Sequence, residues 1–380
     1  MLTQTLTVVL AGARGAAGRM HERIHRSLGS TVVAFDVSGP PPLAGHLRRV
    51  PWGDAIMDIC TPTAAHAQSM EWGYARGIRR FLVEKPAAAS LAEWRRLLVQ
   101  MPDIQTFVMH PYVYSESFRI ATQAVPAPTE VTTTFDKDRE SDDLMRRGAG
   151  PDGRLPHLFQ VEAPHQFAMA LAVLPGVQVM SAEVDQRGAR GAEPDVPVAG
   201  RVTLRDPHPT RAGDVRVVHL TTDLRAPRRR ALRLRDRDGR EAVVDFSTTS
   251  DLIGRVWVRD RDGESRLVFE GTDDLLRNTI VTATESFRRG TIPVGGSAEF
   301  AAAVLGGIDE AIAYSSGSSS AAAVSAASAP QASPAVSVAS APQASPAVSA
   351  ASAPQASPAV SAASAPQASP EGAPALAVSI

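Results

Sequence analysis

The chain has 380 residues, of which 44% are hydrophobic and 21% charged, and its formal net charge is −1. This charge balance gives no reason to expect a nucleic acid or an anionic membrane as the main partner. The single cysteine, Cys60, excludes an internal disulfide framework and a cysteine-rich metal site. No apolar run is long enough for a membrane helix, and the first residues lack a signal peptide's basic region, so we expect a cytoplasmic protein.

The first elements predicted are a strand, a glycine-rich turn, a helix and a second strand. They cover residues 6–10, 12–18, 19–28 and 31–35, and the second strand ends at Asp36. In this context glycines let the backbone approach a pyrophosphate at the helix N-terminus, and an acidic residue binds the ribose hydroxyls. A carboxylate would repel the 2′-phosphate of NADP, so we expect NAD. The alternative is a plain tight turn. The predicted contacts are Gly12, Arg14, Gly15, Ala16, Gly18 and Asp36.

The same alternation continues over the next seventy residues. Strands are predicted at 54–60, 81–83 and 104–109, with helices at 64–76 and from Ser90 to about 101. Such alternation is typical of a doubly wound parallel sheet, whose ligands bind beyond the carboxyl ends of the strands. Five positions fall at these ends and are expected to converge on one crevice: Gly12, Asp36, Thr61, Lys85 and His110.

Three motifs occur in order along this half of the chain. They are the glycine-rich turn, the segment Asp58-Ile-Cys-Thr61-Pro62-Thr-Ala-Ala-His66 and the triplet Glu84-Lys85-Pro86. Together they resemble the Gfo/Idh/MocA oxidoreductases. The resemblance implies a Rossmann domain followed by an α/β domain with a large, mostly antiparallel sheet. It also implies a homo-oligomer, a dimer or tetramer.

The second half fits this outline. Strands are predicted at 131–135, 177–184, 198–204 and 215–224, followed by two hairpins with Asp238-Gly239 and Asp262-Gly263 turns and by helices at 273–288 and 297–314. We therefore predict an α/β protein with three parts. Residues 1–123 form the NAD(P)-binding Rossmann domain, and residues 124–314 form a substrate-binding and oligomerisation domain. Residues 315–380 form a disordered tail, because its Ala-Pro-Gln-Ala-Ser-Pro repeats lack large apolar side chains.

By the resemblance, a hydride passes between the nicotinamide and a secondary alcohol or ketone of a sugar, amino sugar or cyclitol. Lys85 is then the proton-transfer residue, and its bond to Pro86 is a candidate cis peptide. The alternative for Lys85 is a solvated surface lysine. The remaining cofactor contacts expected at the strand ends are Thr61, Pro62, His66, Glu84, Lys85 and His110.

A histidine of the second domain is expected to assist Lys85, and His165 is the candidate, with His157 as the competitor. Glu162 lies three residues earlier, so on a helix the two share a face, and the carboxylate could orient the imidazole and raise its basicity. The alternative is a partly buried structural histidine. Pro164 fits such a helix only in its first turn.

Three further groups of charged or metal-binding residue types are not assigned to the catalytic site. The charged loop 136–143 is either a substrate contact or solvated. The arginine-rich segment 225–240 is read as the solvent edge of the sheet or a subunit contact. His21 and His25 have the i, i+4 spacing of metal ligands, but no third ligand is apparent, so no metal is expected.

Two other functions remain open at this stage. One is a non-catalytic NAD-binding regulator or scaffold of the same fold. The other is an epimerase or lyase in which transient oxidation by the cofactor acidifies a neighbouring carbon. The substrate expected in either enzymatic case is a small polar molecule.

Overall fold

The computed structural model describes residues 5–36, 50–138, 157–185, 198–207, 216–248 and 250–317. They all belong to one compact unit. The repeats of the predicted tail and residues 139–143 of the charged loop lie outside the described residues. Among the described residues, no helix is both long and apolar enough to cross a membrane.

The first half of the chain builds a five-stranded parallel sheet, as predicted. The strands are β1 (Thr7–Ala11), β2 (Thr31–Phe35), β3 (Ile56–Ile59), β4 (Arg80–Val83) and β5 (Gln105–Val108), in the order β2-β1-β3-β4-β5. The strands β1 and β3 to β5 are short and almost completely buried, because helices cover parallel sheets on both faces. The strand order reverses beside β1, where ligands of doubly wound sheets bind.

Helices follow β1, β3 and β4, where the sequence predicts them. They are α1 (Ala16–Ser27), α2 (His66–Tyr74) and α3 (Leu91–Gln100). The predicted cap of α3 is present, since Ser90 Oγ accepts a hydrogen bond from the Glu93 amide at 3.2 Å. Helix α1 begins three residues earlier than predicted, because Ala16 to Gly18 already adopt helical geometry inside the glycine-rich turn.

A short 3-10 helix at Pro111–Tyr114 and helix α4 (Glu116–Ala124) follow β5 and were not predicted. The cap of α4 is Ser115, whose hydroxyl accepts from the Phe118 amide at 2.9 Å. The predicted domain boundary at residues 123 and 124 falls at the end of α4. Because both sheets belong to one compact unit, that boundary stays a prediction.

The second half forms an eight-stranded, mostly antiparallel sheet in the order β13-β12-β11-β10-β6-β9-β8-β7. Both Asp-Gly hairpins are confirmed, and Gly239 and Gly263 adopt the positive φ that these turns require. The strands are β6 (Glu130–Asp136), β7 (Gln178–Asp185), β8 (Ala199–Arg205), β9 (Val217–Asp223), β10 (Arg229–Arg235), β11 (Glu241–Asp245), β12 (Ile253–Arg259) and β13 (Ser265–Thr272). Strands β6 and β9 are paired in parallel.

The remaining helices are α5 (Leu158–Val161), α6 (Ala163–Val173), α7 (Leu275–Arg289) and α8 (Ala298–Ser315). Pro164 is the second residue of α6, as its first-turn prediction required. Helix α6 packs against β6 and β9 on the buried face of the large sheet. At its edge, β13 exposes Leu267 and Val268, and the predicted dimer or tetramer stays a prediction.

Helix α8 contributes to two hydrophobic cores at once. Ala301 and Leu305 pack with the core of the parallel sheet. Val304 and Ile308 pack with the core of the antiparallel sheet. One helix near the end of the described chain therefore completes both layers.

Candidate functional site

The glycine-rich turn packs tightly against the end of β3. Gly12 has φ +82°, and a Cβ there would lie 2.6 Å from the backbone carbonyl carbon of Cys60. A Cβ at Gly18 would lie within 2.8 Å of the Ala13 Cα atom. Both positions therefore exclude a side chain, which lets the turn lie flat beside the parallel sheet.

Helix α1 begins directly after this turn without a side-chain cap. Its N-cap is Gly15, which makes no side-chain cap, and its first turn contains no acidic residue. Gly15 and Ala16 are exposed to solvent. Uncapped amides at a helix N-terminus are the donors that hold a phosphate group in dinucleotide sites.

Asp36 lies beside the same turn. Its Oδ2 atom accepts a hydrogen bond from the Arg14 amide at 3.1 Å, and the Phe35 carbonyl accepts from the Gly12 amide at 3.0 Å. The sequence-predicted contacts Gly12, Arg14, Gly15, Ala16, Gly18 and Asp36 are therefore together. The carboxylate therefore lies directly beside the glycine-rich turn.

Thr61, Pro62 and His66 form the next edge of the crevice. The carbonyl of Thr61 accepts a hydrogen bond from His66 Nε2 at 2.9 Å, and His66 Nδ1 lies 3.4 Å from the Ala87 carbonyl. Burial lowers the pKa of His66 and favours its neutral form. The imidazole thus connects the loops that follow β3 and β4, and Pro62 precedes the 3-10 turn Thr63–Ala65 after β3.

Glu84 and Lys85 follow β4, and the Lys85–Pro86 peptide bond is cis. Lys85 Nζ donates to the Val161 carbonyl at 3.1 Å, which joins the end of the parallel sheet to the short helix α5. Glu84 Oε2 accepts from the Lys85 amide at 3.1 Å. Burial by itself would raise the pKa of Glu84, but the hydrogen bond and charge of His21 and the charge of Lys85 hold it below its usual value.

His110 follows β5 and is buried beside Phe300, with ring centroids 5.5 Å apart. Neither ring nitrogen has a hydrogen-bond partner in the part of the chain that the structure describes. Burial lowers the pKa of His110 to about 3 despite the opposing charge of Glu84, so the ring is neutral near pH 7. A buried polar ring without partners is expected to meet a ligand or an ordered water.

His165 lies on α6 and packs against two aromatic rings, those of Tyr112 at 4.9 Å and Phe135 at 5.9 Å. Its pKa is well below the ordinary value because of burial and the positive charges of Lys85 and Arg230. The sequence led us to expect a histidine of raised basicity. That expectation is wrong, because the imidazole is partly buried among cations.

The carboxylate expected to raise that basicity has a different partner. Glu162 Oε2 accepts a hydrogen bond from Arg230 Nη1 at 2.6 Å, and both side chains are buried. The guanidinium also lies 4.6 Å above the Phe135 ring. His165 Nδ1 has no partner among the described residues. Glu162 therefore positions Arg230, which corrects the expectation that it orients His165.

Several of the side chains described above line one cavity of about 250 Å³. Its lining brings together Lys85 and Glu84 from β4, His165 from α6, and Tyr112 from the 3-10 helix after β5. Arg228 and Arg230 line it as well, so cations outnumber carboxylates on the walls. Lys85 and His165, predicted from distant stretches of sequence, thus face the same space.

The role of Arg230 was missed, since segment 225–240 was read as a solvent edge or a subunit contact. Arg230 is buried together with Leu232 and Leu234, whereas Arg229, Arg233 and Arg235 are not buried. Side chains two apart on a strand share a face. The sequence therefore did indicate that Arg230 is buried, because Arg230 lies on the same face of β10 as Leu232 and Leu234.

A second cluster lies behind the glycine-rich turn. His21 and His25 of α1, for which no third ligand was apparent, contact Asp58 of β3, and Cys60 lies next to that carboxylate. Burial would lower the pKa of His21, but the Asp58 carboxylate raises it well above its ordinary value. The sequence did not predict these contacts, because Asp58 was recognised only as part of a buried strand.

Comparisons with known proteins extend these findings. No family model matches the sequence, and no curated protein matches it by sequence. A UDP-N-acetylglucosamine 3-dehydrogenase from Acidithiobacillus ferrooxidans superposes with a TM-score of 0.65 at 16% identity, covering 83% of this chain and 99% of that one. A myo-inositol dehydrogenase from Corynebacterium glutamicum gives 0.62 at 17% identity, covering 82% and 97%.

A 3-ketoreductase from Actinomadura kijaniata, solved with NADP and TDP-benzene, gives a TM-score of 0.62 at 14% identity, covering 82% of this chain and 98% of that one. The chain therefore shares the fold of these three proteins. The parallel sheet, the antiparallel sheet and their order along the chain are as the motifs predicted. In this fold, the glycine-rich turn, Lys85 and His110 lie at the carboxyl end of the parallel sheet.

Proposed function

We propose that the chain is a nicotinamide-dependent oxidoreductase that interconverts a secondary alcohol and a ketone on a sugar, amino sugar or cyclitol. The observation that carries the proposal is the cavity into which Lys85 and His165 both project, next to the carboxyl end of the parallel sheet. Solved proteins of this fold that act on sugar nucleotides and inositol support the substrate class.

The chain's own residues fit a dinucleotide. Gly12 and Gly18 leave room only for backbone, and the amides at the start of α1 have no side-chain cap. Asp36, whose carboxylate accepts a hydrogen bond from the Arg14 amide, would bind a ribose diol. The nitrogens of His110, which have no hydrogen-bond partner among the described residues, would offer a polar contact for a carboxamide. We infer NAD as the cofactor, since a carboxylate at Asp36 would repel a 2′-phosphate.

When bound, the nicotinamide would accept or supply the hydride. In alcohol oxidation the neutral amine of Lys85 would accept the hydroxyl proton, and in ketone reduction its ammonium would donate a proton to the ketone oxygen. His165 is neutral near pH 7 and so can accept a hydrogen bond from a second hydroxyl. Arg230, fixed by Glu162, adds positive charge where an alkoxide would form.

The experiment is a screen of sugars, amino sugars, cyclitols and their ketones with NAD⁺, NADH, NADP⁺ and NADPH, followed by nicotinamide absorbance. We expect cofactor-dependent conversion of at least one substrate. Turnover without net cofactor reduction would favour an epimerase or lyase. Cofactor binding without any turnover would favour a regulator or scaffold. If neither NADH nor NADPH raised the melting temperature, the proposal would fail.

A further inference from the structure

A buried cluster of metal-type side chains lies behind the glycine-rich turn, and Glu84 links it to the wall of the substrate cavity. Helix α1 contributes His21 and His25, and the end of β3 contributes Asp58 and Cys60. The two histidines and the aspartate are fully buried, and Cys60 is 8% exposed. Nothing in the proposed hydride transfer requires an imidazole, a carboxylate and a thiol at this place.

The candidate ligand atoms lie close together, and His21 and Asp58 are hydrogen-bonded to each other. His21 Nδ1 lies 2.9 Å from Asp58 Oδ2, and Cys60 Sγ lies 3.5 Å from Asp58 Oδ1. Ligand atoms of these three residues all lie within 4.8 Å of one another. In tetrahedral Zn²⁺ sites, bonds of about 2.0 Å to nitrogen or oxygen and about 2.3 Å to sulfur separate neighbouring ligand atoms by about 3.3 to 3.5 Å.

His21 and Asp58 each contact a further polar side chain, as metal ligands usually do. The other ring nitrogen of His21, Nε2, lies 3.2 Å from Glu84 Oε1. A carboxylate on the far nitrogen is the usual support of a metal-binding imidazole. His25 Nε2 lies 2.9 Å from Asp58 Oδ2, while its fully buried Nδ1 has no partner among the described residues.

We propose that His21, Asp58 and Cys60 bind one Zn²⁺ ion, with Glu84 and His25 as supporting residues. One carboxylate and one thiolate balance the two positive charges of the ion, which lowers the cost of burying them. Binding would displace the proton shared by His21 and Asp58 and the proton of the Cys60 thiol, so ion uptake releases protons. Nitrogen, oxygen and sulfur together match the preferences of Zn²⁺.

The ion's role would be structural rather than hydrolytic. The residues His21-Glu22-Arg23-Ile24-His25 have the order of a helical zinc-peptidase motif, in which the glutamate is the general base. Here Glu22 ion-pairs with Arg26 at 2.8 Å on the outer side of α1. The site would instead tie α1 to β3 directly behind the turn that contains Gly12 and Gly18.

The test uses the full chain, purified without a histidine tag or chelator. We expect about one zinc per chain by elemental analysis after dialysis, and a higher melting temperature in the zinc-loaded protein than in the chelated one. Replacing zinc with Co²⁺ should produce a thiolate-to-cobalt charge-transfer band in the near ultraviolet. Because Cys60 is the chain's one cysteine, that band can arise from no other residue.

Variants identify the ligands. Cys60→Ser should abolish the charge-transfer band, and His25→Gln should keep the band while weakening Co²⁺ affinity by about 10- to 100-fold. The matched control is His219→Gln, on β9 and outside the cluster. It should leave the charge-transfer band and the Co²⁺ affinity unchanged. Circular dichroism checks that each variant folds. If the wild-type chain retained no zinc and gave no charge-transfer band with Co²⁺, the proposal would be overturned without any variant.

Discussion

Glu162 and Arg230 form a buried ion pair of 2.6 Å that joins the N-terminus of α6 to strand β10 beside the cavity. The pair fixes the guanidinium against the Phe135 ring. The Glu162 carboxylate, which we expected to orient His165, binds Arg230 instead. The pair therefore sets the charge of the cavity wall, and the two side chains should be tested together.

Glu162→Gln should lower the free energy of unfolding by about 3 kcal/mol, because it leaves the buried charge of Arg230 without its carboxylate. The double variant Glu162→Gln/Arg230→Met should recover part of that loss, since it removes the charge as well. Urea unfolding of the wild type, both single variants and the double variant measures the coupling. A Glu162→Gln effect below about 0.5 kcal/mol would show that the pair adds no stability.

Lys85→Met should lower turnover by about 100- to 10,000-fold, the usual contribution of general acid–base catalysis, while NADH binding is retained. The matched control is Lys137→Met, because Lys137 is the chain's other lysine and lies just after β6. Steady-state rates and NADH titration measure the two effects separately. Equal rates for Lys85→Met and Lys137→Met would exclude the assigned role.

Gly12→Ala should weaken NADH binding by more than tenfold, because the added Cβ would collide with the Cys60 backbone. Gly29→Ala is a close control, since Gly29 has φ +79° but no atom within 4 Å of the added Cβ. Gly29→Ala should cost only the backbone strain of about 1 to 2 kcal/mol. Thermal unfolding with and without NADH distinguishes the two. Identical NADH shifts in both variants would contradict the assignment of the turn.

His110 should make the protein sensitive to acid. Its folded pKa of about 3 lies below the unfolded value of about 6.5, so the unfolded chain takes up a proton first as the pH falls. The contribution of neutral His110 to the free energy of unfolding is therefore complete above about pH 6.5 and is lost as the pH falls towards about 3. At about pH 5 the loss is about 2 kcal/mol. Urea unfolding of wild type and His110→Leu across that range should give diverging curves. Parallel curves would argue against a neutral, buried His110.

Asp36→Ser should raise the ratio of NADPH to NADH activity by about tenfold or more, which corresponds to about 1.4 kcal/mol of removed repulsion. The wild type should prefer NADH. Measurements of kcat/KM with both cofactors test the prediction at low ionic strength, where the repulsion is least screened. A wild type that prefers NADPH would show that Asp36 does not select the cofactor.

The sequence predicted the elements of the parallel sheet because each has a strong local signal. Alternation of buried strands with helices, the Ser90 cap and the Asp-Gly turns depend on residues close together in the chain. Helix α4 was missed, since the segment around Pro111 and Ser115 reads as a loop until its tertiary contacts are known. Local patterns therefore fixed the elements but not all of their connections.

The site was predictable where its residues lie at strand ends, as for Lys85 and His110. The partners of Glu162 and His21 were not, because each lies far away in sequence. Glu162 meets a residue 68 positions later, and His21 meets one 37 positions later. Neither spacing has a periodicity that a single sequence can reveal, so these pairings required the fold.

Helix α8 has a consequence for the order of folding during synthesis. The five strands of the parallel sheet are complete by residue 108, yet Ala301 and Leu305 enter their core only when α8 has been translated. A nascent chain therefore exposes an apolar groove on an otherwise finished N-terminal layer for most of its synthesis. Chaperones that bind growing chains should stay attached to this protein until α8 leaves the ribosome.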